Sequence, residues 1–239
     1  MNKNNYNKNK VVFTNKNEQE LLAKFELKNF TDFWNIEANK FAKDMGIEVK
    51  RSHKVRGGNT ILRETCMLKL DGEKYFLKRS TGKSFSAVKN ELTAREILPQ
   101  FDLTSSQFSA HAIDESGKQA FILMKDLSDY ISLYDLHEMR KNDEKYQQIF
   151  DEFAEKLIIS FKEIQQTQYF YRDWFVKHLF YNPTNKLIAV IDLERFYSVK
   201  QLPFYYFLSA VRNYKRKKEQ QVLAKSLQIS IEKLAKKLS

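Results

Sequence analysis

The sequence predicts an α+β fold of two lobes, a small antiparallel β-sheet with one helix followed by a mainly helical half. Three observations carry this reading. Residues 47–79 alternate apolar and polar around two turn signals, RGGN and DGEK, as antiparallel strands do. Residues 84–98, SFSAVKNELTAREIL, read as a helix with Ser84 as N-cap and Pro99 as its stop. Residues 143–166 place Ile149, Phe153, Leu157, Phe161 and Ile164 three and four apart, the stripe of a long helix. The boundaries follow: a lead over 1–17 without structure, a sheet lobe over 18–124 and a helical lobe over 125–239.

Composition narrows the classes. The chain has 239 residues, and its 42% hydrophobic and 30% charged content fits a soluble globular protein with a real core. The single cysteine, Cys66, rules out an intramolecular disulfide and suits a reducing cytoplasm. No apolar run approaches the roughly 20 residues that span a bilayer. The start, MNKNNYNKNK, lacks the apolar centre of a secretory signal. A net charge of +11 favours an anionic partner: nucleic acid, an acidic membrane surface or a phosphorylated substrate. The runs YKRKK (214–218) and EKLAKKL near the end are either solvated helix faces or surfaces for anionic lipid, at roughly 1 kcal/mol per basic residue.

Taken in order, EQELLAKF is a helix and Phe25, Phe30, Phe33 and Trp34 are packing residues. The turn Arg56-Gly57-Gly58 offers backbone N–H groups that could approach a phosphate. In YFLK, Tyr75 and Leu77 share one face of a strand and Phe76 and Lys78 the other; Arg79 is expected to point outward. An inward Lys78 needs a charge partner. Helix 84–98 supplies one in Glu91, with Glu96 as the alternative on another face; Val88, Leu92 and Arg95 form its packed side, with Glu91 at the edge. QFSAHAID and QAFILMKDL are two more strands, and Met124-Lys125-Asp126 is the expected hinge, where backbone groups meet an adenine edge. Ser132 caps the first helix of the second half.

The most informative stretch is 170–197, FYRDWFVKHLFYNPTNKLIAVIDLERFY. It holds Arg172-Asp173, then His178, then a turn at Asn182-Pro183-Thr184-Asn185, an apolar strand and Asp192. Two carboxylates at the ends of two strands joined by that turn can face one cleft. Phosphoryl transfer asks for that arrangement, since it needs an oriented nucleophile and neutralised phosphate charge more than covalent help. Asp173 would accept the acceptor hydroxyl's proton, and Asp192 would hold the metal. His178 would be the second ligand or would fix the loop.

With Lys78, Glu91, the R-D-x4-H loop and Asp192 in this order, the chain resembles the protein-kinase-like superfamily. Within it, YRDWFVKHLFYN and IAVIDLERF resemble the bacterial lipopolysaccharide kinases that phosphorylate inner-core sugars, as do DGEKYFLKR, VKNELTARE and FILMKDLSDYISLYDL. The likeness covers residues 50–200. His178 stands where protein kinases carry Asn, which brings the heptose kinases nearer than the Kdo kinases. Tyr171 replaces the usual His before Arg-Asp, and Glu194-Arg195 replaces Phe-Gly.

The resemblance implies ATP and Mg²⁺ as cofactors. It implies Asp173 and Arg172 as catalytic residues, and Asp192 and His178 at the metal. Lys78, Glu91, Gly57, Gly58, Met124 and Asp126 fall to the nucleotide. The acceptor would be a heptose of the lipopolysaccharide core, met by a protein peripheral on the cytoplasmic face of the inner membrane; nucleic acid is not an expected partner. The alternatives are a kinase for a protein or another small molecule, or a kinase-fold module that only binds.

Overall fold

Six strands build the first of two units in the computed structural model, which describes residues 10–36, 44, 47–57, 60–198 and 208–238. The first unit comprises Met1–Lys89 and Ser106–Asp126, the second Asn90–Ser105 and Leu127–Ser239.

In the first unit β1 (Val12–Phe13), β2 (Glu48–Gly57), β3 (Thr60–Leu70), β4 (Glu73–Thr81), β6 (Phe108–Asp114) and β7 (Gln119–Lys125) form one antiparallel sheet, ordered β1-β6-β7-β4-β3-β2. The tight β3–β4 hairpin turns at Asp71 and Gly72, both at positive φ, where glycine is unstrained. One sheet face is apolar. Leu68, Leu70, Tyr75, Leu77, Phe121 and Leu123 are buried there with Leu22 of α1 (Lys16–Lys24), Phe30 and Phe33 of α2 (Phe30–Trp34) and Leu27 between the two helices. Phe33 stacks on Phe121 with centroids 4.6 Å apart. Asn15 caps α1, and Asn29 with Asp32 forms a capping box on α2.

Two expectations change here. The lead over 1–17 is not wholly without structure, because Val12 and Phe13 pair with His111 and Ala110 of β6. A two-residue edge strand is too short to show an alternating pattern. Arg79 does not point outward: it shares the buried face of Tyr75 and Leu77, 6% exposed, bonded to Glu64 and to the Trp34 carbonyl. The parity of the strand decides its face, and Glu64, directly opposite on β3, supplies the charge that makes burial tolerable.

The second unit is built on α5 (Glu144–Gln166). Its stripe of Phe153, Leu157, Phe161 and Ile164 packs with Leu223, Ala224 and Leu227 of α6 (Leu208–Leu227) and Leu234 of α7 (Ile231–Leu238). Ser132 caps α4 (Leu133–Met139) by accepting from the Asp135 amide, as the sequence predicts. A four-stranded sheet runs β5 (Leu103–Thr104), β11 (Leu187–Val190), β10 (Leu179–Asn182), β8 (Ile131–Ser132), with β5 parallel to β11. A separate pair joins β9 (Tyr169–Tyr171) to β12 (Phe196–Ser198). Helix α3 (Ser86–Ile97) follows a 3-10 turn at Gly82–Ser84, so Ser84 lies inside that turn rather than capping α3 directly. Among the described residues, no helix is long and apolar enough to cross a membrane.

Candidate active site

The turn at 182–185 forms for the reason its residues suggest. Asn182 Oδ1 accepts from the amides of Thr184 and Asn185 at 2.9 and 3.2 Å, and Asn185 Oδ1 accepts from Leu187. The β10–β11 ladder then runs from Asn182–Leu187 back to Leu179–Val190. One further bond, from the Ile191 amide to the His178 carbonyl at 3.0 Å, extends it. That register sets His178 beside Asp192, with Nε2 3.4 Å from Oδ2.

Asp173 reaches the same place by another route. It does not end a strand of this hairpin; it lies in the loop between β9 and a 3-10 turn at Val176–His178. Its carbonyl accepts from the Phe175 amide at 2.6 Å and from His178 Nδ1 at 3.0 Å. The imidazole therefore touches both carboxylate-bearing segments. Trp174, fully buried, anchors the loop edge-on to Phe161 and Tyr171. The Ser226 hydroxyl of α6 donates to the Trp174 carbonyl at 2.6 Å.

The guanidinium at Asp173 is that of Arg195, with Nη1 3.3 Å from Oδ1, while Arg172 is exposed. Arg195 sits in a 3-10 turn, Leu193–Arg195, that begins immediately after Asp192. Asp192 adopts a left-handed conformation, φ 61° and ψ 48°, uncommon for a residue with a side chain and frequent at functional sites. The turn is tied to α3, since Asn90 Nδ2 donates to the Glu194 carbonyl at 2.6 Å. Its neighbour Glu91 is 4% exposed, whereas Glu96 is exposed. The buried face of α3 is thus Val88, Glu91 and Ala94, continued by Leu98 just beyond its end, which moves Glu91 from the edge to the packed side in place of Leu92 and Arg95.

Tyr171, where a His was expected on resemblance, spans the gap. Its ring is buried and its hydroxyl donates to the Ile191 carbonyl at 2.8 Å, the residue before Asp192. Burial, reinforced by the carboxylates of Asp173, Asp192 and Glu91, pushes the phenol pKa well up, so the hydroxyl stays a donor. Its amide donates to Glu219 Oε1 of α6 at 2.8 Å.

Burial also holds the His178 pKa below the ordinary imidazole value, against the opposing pull of the Asp173 carbonyl and the Asp192 carboxylate. The Asp173 carbonyl can only accept, so Nδ1 carries the proton of the neutral ring. Nε2 is then a lone pair facing the Asp192 carboxylate oxygen. Two acceptors turned toward each other suit a shared cation, and a ring nitrogen fixed by a backbone carbonyl is the usual support of a ligating His. Among the described residues no group of three or more His, Cys, Asp or Glu side chains could ligate an ion. The Asp192 carboxylate by itself fits Mg²⁺, which is commonly held by one or two carboxylates together with substrate phosphates.

In the first unit Lys78 lies on the central strand β4, half-buried, opposite Thr65 and Ile122. Gly57 ends β2 opposite Thr60, and Gly58 lies outside the described residues. Met124 pairs with Phe76 and Phe108. The amides of Lys125 and Asp126 are already donated to the carbonyls of Gln107 and Lys74, so those two donors of the expected hinge are engaged within the sheet.

The basic run 214–218 is also not a uniform surface. Arg216 is 8% exposed and pairs with Glu219 at 2.9 Å, and Lys215 lies over the Tyr197 ring. Sequence reasoning missed Arg195, Asn90, Arg216 and Glu219; for the last two, the only signal was their spacing of three on one helix. Burial shifts both partners, raising the Glu219 carboxyl to about 7 and lowering the guanidinium. The carboxyl's folded value lies above its unfolded one. Its contribution to stability is therefore full below pH 4.5 and lost as pH rises through 7. Denaturant titrations should show the fold weakening from this group as pH rises over that window. Glu219→Gln should flatten the dependence; an unchanged slope would place the titration elsewhere.

No protein-family model matches this chain, and no curated protein matches it in sequence. Among solved structures it is similar to one titled "WaaP in complex with acyl carrier protein", at 15% identity and a TM-score of 0.55, covering 95% of this chain and 92% of that one. At that identity the likeness concerns the fold. It is an α+β fold with an antiparallel sheet unit and a mainly helical unit, as the sequence predicts.

Proposed function

We propose that the protein is an ATP-dependent phosphotransferase whose acceptor is a sugar hydroxyl, a heptose of the lipopolysaccharide inner core. The observation that carries the reading is His178, whose two ring nitrogens meet the Asp173 carbonyl and the Asp192 carboxylate. In this reading Asp173 is the base. Arg195 holds Oδ1, and Oδ2 would take the proton of the acceptor hydroxyl as that oxygen bonds to the γ-phosphorus and the bond from the γ-phosphorus to the bridging oxygen breaks, releasing ADP. Asp192 and His178 would hold Mg²⁺, which when bound neutralises charge on the phosphates. Lys78 and Glu91 are assigned to the nucleotide phosphates, and Gly57, Gly58, Met124 and Asp126 to the nucleotide.

The sequence resemblance supplies the acceptor, and the similar structure supports it at the level of fold. Basic residues that remain exposed, such as Lys217 and Lys218, suit an anionic glycolipid at the cytoplasmic face of the inner membrane. The similar structure was determined with acyl carrier protein, and a carrier-protein partner belongs to the same proposal. Incubation with radiolabelled ATP, Mg²⁺ and purified lipopolysaccharide core should label the core. Label on generic protein acceptors and not on core would move the acceptor to another class; no label on any acceptor would end the reading.

A further inference from the structure

We propose that Glu219, oriented by Arg216, is a positioning residue that holds the loop carrying Asp173 in register from helix α6. The inference rests on the assignment of Asp173 as the base. Both residues lie on the inner side of a helix that a hydrophobic pair could have packed equally well: Glu219 is 2% exposed and Arg216 8%. A buried ion pair is weak support for stability by itself, because desolvation offsets its attraction. What distinguishes this pair is where its bonds go.

Glu219 Oε1 accepts from the Tyr171 amide at 2.8 Å, and Oε2 accepts from Arg216 Nη1 at 2.9 Å. Arg216 Nη2 donates to the carbonyls of Ile164 and Thr167 at 3.1 and 3.0 Å, where α5 ends and the approach to β9 begins. Its guanidinium lies 4.0 Å from the centre of the Phe170 ring. The pair thus grips the chain just before and within β9. On the far side of Asp173, Ser226 of the same helix holds the Trp174 carbonyl. Helix α6 therefore tethers residues 171 and 174 and brackets Arg172-Asp173 between them.

Tyr171 passes the constraint on. Its amide is held by Glu219 and its hydroxyl holds the Ile191 carbonyl, so one residue links α6 to the segments of both carboxylates. Tyr171 is two residues from Asp173, too few for a shift in its backbone to be absorbed before the carboxylate. Misplacement by about 1 Å can cost 100-fold in rate without altering what binds.

The test uses the full chain with three variants: Glu219→Ala, Glu219→Gln, and the double replacement Arg216→Met with Glu219→Leu. The double variant exchanges the ion pair for apolar side chains of similar bulk, a change that commonly preserves stability. Two readouts are taken at temperatures where each variant is folded: hydrogen exchange of the Tyr171 amide, and turnover of Mg²⁺–ATP with lipopolysaccharide core.

We expect Glu219→Ala and the double variant to speed that exchange about tenfold or more. Both should lower kcat by about 10- to 100-fold with KM for ATP within about threefold. Glu219→Gln keeps an acceptor oxygen for the amide and should recover most of kcat. A stable double variant with wild-type kcat, or unchanged Tyr171 exchange in it, overturns the proposal and leaves the pair a packing feature. Should the wild type turn over no ATP, the exchange measurement still decides whether Glu219 holds the loop, while the kinase reading fails by itself.

Discussion

Asp173→Asn lowers phosphoryl transfer by about 10²- to 10⁴-fold, the range expected when a positioned general base is removed. The replacement keeps the shape of the side chain. The backbone carbonyl of residue 173, which accepts from the Phe175 amide and His178 Nδ1, is untouched, so the loop keeps its path. KM for ATP should therefore stay within about threefold, because the loss is confined to the transition state. Asp192→Asn is the companion measurement. It changes the residue facing His178 Nε2, and its signature is a higher Mg²⁺ requirement as well as a lower rate. If Asp173→Asn retains more than about a tenth of wild-type transfer, Asp173 is not the base and the assignment of the loop is wrong.

The parts of this site written into local sequence were readable, and the parts written in backbone bonds were not. Asn182-Pro183-Thr184-Asn185 is a turn in any context, and the apolar run after it had to be a strand. Those two facts fix the register that puts His178 beside Asp192. The stripe of α5 was equally legible, because its period is a property of the segment alone.

By contrast, Asp173 is placed by bonds to its own carbonyl, which no side-chain pattern announces. Glu219 acts on an amide 48 positions away, inside a run of charges that reads as a solvated face. Arg195 appeared as a substitute for a glycine, and its meeting with Asp173 depends on the 3-10 turn that follows a left-handed Asp192. Strands β1 and β5 are two residues each and exist only because longer strands offer them an edge. Arg79 is the instructive error. Parity placed it with Tyr75 and Leu77, opposite a Lys78 read as inward; the face of Tyr75 and Leu77 is the one the helices cover, and Arg79 is buried with it.

Arg79→Ala destabilises the sheet unit by about 3–5 kcal/mol, the cost of breaking a buried ion pair from one side. Arg79 and Glu64 face each other across β3 and β4 and are 6% and 5% exposed. Arg79 also bonds the Trp34 carbonyl of α2 and approaches Cys66 Sγ at 3.4 Å, so its guanidinium joins the sheet to the helix covering it. Truncation leaves a carboxylate in a poorly solvated place, removes a donor from a backbone carbonyl and opens a cavity, and all three losses have the same sign. Against a typical total of about 5–15 kcal/mol, that is enough to unfold much of the unit at ordinary temperature.

Arg79→Lys keeps the charge but not the planar fork, and recovers only part of the loss. Arg79→Met combined with Glu64→Leu should recover most of the loss, because both members of the pair are then exchanged together for apolar side chains. Urea titrations followed by circular dichroism measure all three. A cost below about 1 kcal/mol for Arg79→Ala is what an exposed pair gives, and it would mean the guanidinium is solvated rather than enclosed beneath α2.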